Sequence, residues 1–407
     1  MKRRALGAAA LATALGGSLL GLVGAGPAVG QPGHQILATG LDNPRQLNWS
    51  ENGKTLVIAE AGSGGSTCIG EGPEGPTCIG FTGSVGTIAQ PWNKVRVAPR
   101  VVASGLLSAA APDGSFATGP DGADLTDVPG EVITAITGLP PEARPPGLPP
   151  EVLEQLGKLV VSGTADDGEM FNFGYLDFQT YEERRNPDGA QIDSNPYAIL
   201  FVASDVGDKS GYALVADAAA NTVWKVDPDM SVCGEDDDCV PPAKVTVFAT
   251  WAPPGGADDD EDIEYVPTSL ASDKAGNIYV GGLGSLQPGE GKVTKFSATG
   301  KEMRVWSGFT SVTGVAVDKK GALYVSQLFG GAKGNPFEPG APVSGLLTKV
   351  GLAGQSAERF VPFPAGVAVD KHFNVYVSAY STLPSGFRPG DTTRPSEKGG
   401  EIWRVRF

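Results

Sequence analysis

The chain has 407 residues and a formal net charge of −15, and it contains 58 glycines and 33 prolines. The negative charge disfavours nucleic acid and anionic membrane surfaces as partners. So many glycines and prolines are typical of proteins built from many tight turns, since hairpin tips need a positive or a fixed φ. The composition therefore indicates a turn-rich, all-β protein that is long enough to bury a large core.

The first 28 residues have the features of a secretory signal peptide. Residues 2–4 are Lys-Arg-Arg, residues 5–23 are uncharged and rich in Ala and Leu, and small residues follow them. We therefore predict that residues 1–28 are removed and that the mature protein is secreted without a stable membrane anchor. An uncleaved membrane anchor is the alternative.

The cysteines fit an oxidising exterior. Cys68 and Cys78 flank a loop rich in Gly and Pro, and Cys233 and Cys239 flank an acidic loop. Closing two short local loops is the simplest of the three pairings that four cysteines allow. We predict the disulfides Cys68–Cys78 and Cys233–Cys239. Metal ligation is the alternative, although no Cys-x-x-Cys occurs and the chain has only 2 histidines.

A repeated phrase of strand, tight turn and strand organises the chain. It reads Val-Ala-Val-Asp-Lys-Lys-Gly-Ala-Leu-Tyr-Val-Ser at residues 315–326, and related copies occupy residues 270–281 and 367–378. The first strand has small and β-branched residues, and the second carries Tyr between aliphatic residues. Copies at intervals of about 45 to 55 residues are typical of β-propeller blades.

We predict an all-β protein, a six-bladed β-propeller that spans residues 35–407. Residues 35–41 resemble the last strand of the first blade, so we expect this N-terminal strand to complete the last blade and close the ring. An insertion with short helices, residues 138–190, is expected between blades two and three. The expected starting points of the blades are Pro44, Ala123, Asn195, Pro267, Val312 and Pro364.

Two short stretches are more specific than the repeat. Residues 186–189 (Asn-Pro-Asp-Gly) and 193–197 (Asp-Ser-Asn-Pro-Tyr) precede strands that read Val-Ala-Asp and Trp-Lys-Val-Asp. Together these segments resemble the ScyD/ScyE family, and the repeated phrase resembles NHL-like six-bladed propellers. The resemblance covers nearly all of residues 35–407. It implies a secreted bacterial protein with six blades, and it carries over no biochemical role.

Related propellers of the gluconolactonase type bind a divalent cation at the channel mouth, through side chains at the starts of the innermost strands. One acid among the equivalent positions is a poor ligand set, because a hard cation needs several anionic oxygens. We therefore predict no cofactor, with a channel cation such as calcium as the alternative. The equivalent positions are Asn43, Asp124, Asn195, Thr268, Thr313 and Ala365.

No catalytic constellation is visible in the sequence. His34 lies near the mature N-terminus and His372 lies in a turn, so a histidine general base is unfavourable. No Gly-x-Ser-x-Gly occurs, and the acidic runs at 235–238 and 258–262 lack the spacing of a calcium-binding loop. A carboxylate mechanism through Asp124 or Asp193 is the enzymatic alternative.

We therefore favour a binding or scaffold role, with contacts at the mouth of the channel. The rival is a metal-dependent, lactonase-like hydrolase with its site at the same place. The expected partner is a small molecule, a polysaccharide or a protein, and the protein is expected to be a monomer. The predicted ligand-binding residues are Asn43, Asp124, Asp193, Asn195 and Tyr197.

Overall fold

The computed structural model describes residues 33–72, 75–126, 128–141, 144–165, 167–202, 211–229, 232, 242–253, 263–332, 343–383 and 399–407. The predicted signal peptide, the predicted Cys233–Cys239 disulfide and both acidic runs lie outside these ranges. Cys68 and Cys78 form the predicted disulfide between two paired strands. In the ranges above, no helix is long and apolar enough to cross a membrane.

The first half of the chain forms three antiparallel sheets after a lone first strand, β1 (His34–Leu41). Blade one contains β2 (Pro44–Trp49), β3 (Thr55–Glu60), β4 (Thr67–Gly72), β5 (Gly75–Ala89), a 3-10 turn (Pro91–Asn93) and β6 (Arg100–Ala110). Blade two contains β7 (Pro120–Leu125), β8 (Val132–Ile136), helix α1 (Pro150–Leu153), β9 (Lys158–Thr164) and β10 (Met170–Asp177). Helix α2 (Phe178–Arg185) precedes blade three, which contains β11 (Pro196–Val202), β12 (Tyr212–Asp217), β13 (Thr222–Pro228) and β14 (Ala243–Thr250).

The second half forms three more sheets of the same kind. Blade four contains β15 (Pro267–Ser272), β16 (Ile278–Gly282), β17 (Gly291–Phe296) and β18 (Glu302–Phe309). Blade five contains β19 (Val312–Val317), β20 (Leu323–Gln327), β21 (Leu346–Val350) and β22 (Ser356–Phe360). Blade six contains β23 (Val367–Val369), β24 (Val375–Ala379) and β25 (Gly400–Val405). The six sheets confirm the predicted six-bladed propeller.

The ring is closed by pairing between the two ends of the chain. β1 runs antiparallel to β25, with His34 opposite Val405 and Leu41 opposite Gly400. Blade six therefore has the order β23-β24-β25-β1, and its outer strand comes from the start of the chain. Ala38 of β1 is fully buried in a cluster that joins blades six and one. This confirms the predicted closure.

The repeated phrase forms a hairpin that its own side chains hold together. In blade five, Oδ1 of Asp318 accepts the backbone N–H groups of Lys320 (2.8 Å) and Ala322 (3.0 Å), and Oδ2 accepts the hydroxyl of Tyr324 (3.1 Å). The Tyr324 ring then packs between blades five and six. Equivalent bonds join Tyr279 to Asp273 (3.2 Å) and Tyr376 to Asp370 (3.0 Å).

The predicted insertion at 138–190 needs correction, because two strands of blade two lie inside it. β9 and β10 are the outer strands of that blade. The added residues form two separate connections, one before β9 with α1 and one after β10 with α2. The Pro-rich stretch at 138–150 lengthens the connection between the second and third strands of blade two. The third strand therefore does not occur at the spacing that the repeat predicts.

The connections of the propeller lie on two opposite faces. Successive strands in each blade are antiparallel, so first-to-second and third-to-fourth turns share one face, here called the turn face. Second-to-third connections and the links between blades share the other, here called the mouth face. The disulfide-bonded β4, α1 and α2 all belong to the mouth face. Within the described residues, the added strand and both helices therefore lie around one end of the channel.

Closure of the ring can be tested by placing a charge in β1. Ala38→Lys buries an unpaired ammonium in the cluster between blades six and one, so we expect the free energy of unfolding to fall by about 3 kcal/mol or more. Thr39→Lys is the matched control, because Thr39 is half-buried and lies opposite Glu401. Equal urea midpoints for the two variants would show that β1 does not close the ring.

Candidate binding site at the channel mouth

Five innermost strands share a β-bulge near their first residue. Their register to the second strand shifts directly after Pro44, Pro120, Pro196, Pro267 and Val312. A bulge leaves a residue without a ladder partner and redirects its side chain. We call the redirected residues the bulge ring, and all are buried. They are Arg45, Asp121, Tyr197, Thr268 and Thr313, and Ala365 follows Pro364 at the equivalent place in blade six.

A buried ion pair joins two neighbours in the bulge ring. Nε of Arg45 lies 3.3 Å from Oδ1 of Asp121, and the two side chains are 2% and 0% exposed. The Arg45 guanidinium also donates to the carbonyl of Ala117, and the hydroxyl of Thr118 donates to Asp121 (3.0 Å). Burial raises the pKa of Asp121 to about 6, although the charge of Arg45 opposes this shift.

Two predicted ligand-binding residues present polar atoms that lack a partner within the described residues. The hydroxyl of Tyr197 is buried and makes no hydrogen bond there. Nδ2 of Asn43 donates to the carbonyls of Gly62 (2.7 Å) and Gly114 (3.0 Å), whereas its Oδ1 has no partner. Leaving such an atom unsatisfied costs about 1–3 kcal/mol, so these atoms favour a bound water or ligand.

Asp124 and Asn195 instead fasten the blades to each other. The Asp124 carboxylate accepts the backbone N–H groups of Leu125 (2.9 Å) and Phe201 (3.2 Å), which ties blade two to blade three. Burial raises the pKa of Asp124 to about 7. Oδ1 of Asn195 accepts the hydroxyl of Thr137 (3.0 Å) and the N–H of Gly138 (2.9 Å).

Asp193 belongs to a buried acidic cluster beside α2. Burial raises the pKa of Glu182 to about 9, and the nearby carboxylates of Asp217, Asp188 and Asp193 raise it further. Asp217 accepts the hydroxyl of Ser194 (2.7 Å) and the indole N–H of Trp224 (3.1 Å). The most specific segment of the sequence therefore docks the helical connection onto blade three.

The channel below the ring is crossed by side chains of β2. Oε1 of Gln46 accepts the N–H of Ile199 (3.2 Å). Nδ2 of Asn48 donates to the carbonyls of Ala123 (2.9 Å) and Ile199 (2.8 Å). These bonds tie blade one to blades two and three through the interior of the ring.

The residues at the mouth do not fit a divalent cation. The hydroxyls of Thr268 and Thr313 donate to the carbonyls of Val312 (2.6 Å) and Pro364 (2.8 Å). The guanidinium of Arg45 already supplies the positive charge next to Asp121, and a metal there would be repelled. Among the described residues, no group of three or more His, Cys, Asp or Glu side chains could hold a metal ion.

The histidines also lie away from the mouth. His34 begins β1 on the turn face, where its ring stacks on Trp403 with centroids 3.9 Å apart. His372 lies in a turn of blade six, 5.3 Å from the ring centroid of Trp92. Neither position allows a histidine general base at the channel mouth.

Sequence reasoning missed Arg45 and Asp121, which are central to the ring. The signal was the proline that begins the innermost strands of blades one to four, since the residue after it occupies the bulge. Pro44-Arg45 and Pro120-Asp121 match Pro196-Tyr197 and Pro267-Thr268 in this respect. Because the repeat is weak in blade two, the sequence alignment of the blades selected Asp124 as the residue at the channel mouth. The residue in the bulge is Asp121, three positions earlier.

No family model and no curated protein matches the chain. A luciferin-regenerating enzyme structure aligns over 91% of this chain and 92% of its own, at 11% identity and a TM-score of 0.45. The gluconolactonase XC5397 from Xanthomonas campestris aligns over 91% and 88%, at 12% identity and a TM-score of 0.38. The PQQ-bound aldose sugar dehydrogenase from Streptomyces coelicolor aligns over 91% and 97%, at 11% identity and a TM-score of 0.43. The resemblance to ScyD/ScyE stays a prediction.

The raised pKa of Asp124 predicts a pH-dependent effect of Asp124→Asn. The pKa of this carboxyl is about 7 in the folded protein and about 3.9 in an unfolded chain. The folded state therefore binds the proton more tightly, and the contribution of Asp124 to stability falls as pH rises from about 4 through about 7. Asn resembles the protonated acid, so we expect the variant to gain stability relative to wild type at pH 8 compared with pH 5.

Urea unfolding at both pH values measures this gain. Glu51→Gln removes an exposed carboxylate in the first turn of blade one and is the control. A stability difference for Asp124→Asn that is the same at pH 5 and pH 8 would contradict the assigned shift.

Proposed function

We propose that this protein is a binding module whose ligand is a small polar molecule held at the channel mouth. The observation that carries the proposal is the composition of the bulge ring. It combines a charge pair, Arg45 and Asp121, with the unpartnered hydroxyl of Tyr197. Such a ring can donate and accept hydrogen bonds without a metal.

The chemistry of the ring indicates what the ligand contains. Arg45 offers a fixed donor group, and Tyr197 offers a hydroxyl that can donate or accept. Oδ1 of Asn43 adds an acceptor that needs a donor. A molecule with several hydroxyl groups, or with hydroxyl and carboxylate groups, offers the donors and acceptors that these atoms need, as a sugar or a sugar acid would.

A lactonase-like hydrolase is the second candidate function, and one observation favours it. Asp124 is a buried acid with a pKa of about 7, and a general base is most effective when its pKa lies near the working pH. Its two backbone hydrogen bonds oppose this role, because they hold the carboxylate between blades two and three. The binding function is therefore the better supported.

We also propose that the protein acts outside the cell and belongs to the ScyD/ScyE family. The Cys68–Cys78 disulfide supports an oxidising compartment. The segments at 186–189 and 193–197, on which the family resemblance rests, form a buried network at blade three. The signal peptide predicted at 1–28 completes this proposal.

The binding function is tested with Tyr197→Phe, which removes only the unpartnered hydroxyl. We expect the free variant to be as stable as wild type or more stable, because no hydrogen bond to a described residue is lost. Thermal-shift measurements with monosaccharides, aldonic acids and their lactones identify a ligand of the wild type. We expect Tyr197→Phe to bind that ligand about tenfold more weakly, the loss of one buried hydrogen bond.

Tyr265→Phe is the matched control, since the hydroxyl of Tyr265 is already bonded to Val280 and Thr294. It should lose stability and keep its affinity. Hydrolysis of glucono-1,5-lactone that depends on added Ca²⁺, Mg²⁺ or Zn²⁺ would overturn the binding function in favour of the enzyme. If wild type and Tyr197→Phe bound the ligand with equal affinity, the bulge ring would be excluded as the binding site.

A further inference from the structure

Positive charge lines part of the turn face, although the whole chain carries −15. Hydrogen bonds to backbone link these cations from blade to blade. Nζ of Lys319 donates to the carbonyl of Lys371 (3.0 Å), and the Arg404 guanidinium donates to the carbonyl of Trp92 (3.0 Å). The cations span blades five, six and one, and we call them the basic strip. They are Lys319, Lys320, Lys349, Arg359, Lys371 and Arg404.

Aromatic rings hold the cations of the basic strip along the surface. The Nζ atoms of Lys319 and Lys320 lie 4.6 and 4.9 Å from the ring centroid of Phe373. Nζ of Lys371 lies 4.9 Å from the Trp92 ring. Such contacts are worth about 0.5–1 kcal/mol each at exposed sites. They fix the spacing of the charges, so less side-chain entropy is lost when a partner binds.

The pattern continues at the outer end of the strip, in blade five. The Arg359 guanidinium lies 5.3 Å from the ring centroid of Phe407, and Nζ of Lys349 lies 5.8 Å from the same ring. Nε of Arg359 donates to the carbonyl of Arg406 (3.2 Å), which joins blade five to blade six. The cations and half-buried rings thus alternate along a path across three blades.

The acids of the same turns offset only part of this charge. The carboxylates of Asp318 and Asp370 accept hydrogen bonds inside their turns. Glu51 and Glu358 are exposed on the same blades, so the six cations of the strip face four carboxylates and the strip keeps a net positive charge. On blade two, by contrast, the outer turn of the same face exposes acids at positions 167 and 169.

We propose that the basic strip binds a linear anionic polysaccharide, with uronate or sulfate groups paired to the cations. A linear chain can follow the strip and avoid the acids of blade two. A flat anionic membrane would meet both regions at once, and duplex DNA, with one charge per about 1.7 Å, would be repelled more strongly by the acidic part. The half-buried rings beside the cations offer apolar faces to sugar rings.

This surface lies on the face opposite the bulge ring, so the inference is independent of the proposed small-molecule site. Tyr197→Phe should therefore bind an anionic polysaccharide as the wild type does. The two proposals can fail separately.

The experiment compares two double charge reversals in the full-length protein. Lys319→Glu with Lys371→Glu changes the strip. Lys274→Glu with Lys301→Glu is the matched control, because Lys274 follows Asp273 in blade four as Lys319 follows Asp318 in blade five, and all four lysines are exposed. Binding to immobilised polygalacturonate and dextran sulfate is measured by biolayer interferometry, with neutral dextran as the reference polymer.

We expect wild type and the control variant to bind polygalacturonate or dextran sulfate, and the strip variant to bind about tenfold more weakly. Binding should also weaken as NaCl rises from about 50 to about 200 mM, since counterions are released. Thermal unfolding should be alike for both variants, because the changed lysines are exposed. If the strip variant unfolds early, Lys320→Gln with Lys371→Gln repeats the comparison.

Several outcomes would overturn the proposal. One is an equal loss of affinity in the strip and control variants, which would mean general electrostatic attraction. Another is binding to phosphatidylglycerol vesicles or duplex DNA with none to polygalacturonate or dextran sulfate. Equal binding to neutral dextran, or no binding to any anionic polymer at about 50 mM NaCl, would equally exclude the strip as a polysaccharide site.

Discussion

The pairing of β1 with β25 is the constraint on which the rest of the structure depends. Each blade buries one face against the next, so an open ring would leave two apolar sheet faces in water. The pairing supplies the outer strand of blade six from the start of the chain, and β1 also packs against blade one. Only a closed ring brings blade six beside blade one and allows Oγ of Ser378 to donate to the carbonyl of Arg45 (2.7 Å).

The charge pair at the channel mouth comes from two blades that follow each other in the chain. The bulges lie at the starts of the innermost strands and place Arg45 next to Asp121. Arg45 and Asp121 come from adjacent blades, so neither is left as an uncompensated buried charge. A propeller that binds a cation needs several carboxylates at such a place. This chain has a guanidinium and a tyrosine there, and the proposed binding of a polar organic molecule rests on them.

Local patterns made much of the fold predictable. Asp318 and Tyr324 are six residues apart in a phrase whose turn and alternation are visible in the sequence, and the structure joins them by a hydrogen bond. The closing strand was predictable because residues 35–41 had no second strand of their own. The bulge ring was missed, since its signal was a proline at the start of a strand and the repeat that would have aligned these prolines is weak in blade two. Asp124 was selected as the equivalent of the first residues of the other innermost strands, and the fold uses its carboxyl group to bind the backbone of blade three.

Net charge was a poor guide to the turn face, because it averages over blades that differ. Asp318 and Asp370 count as negative in the sequence, yet the turns enclose their carboxylates, whereas Lys319 and Lys371 beside them remain exposed. The same hairpin that holds each blade together therefore separates its charges, with the acid inside and the lysine outside. Neighbouring copies in blades five and six place their lysines side by side, and Lys319 bonds to the backbone of Lys371. A repeat shaped by the needs of folding thereby gives an acidic protein a positive surface.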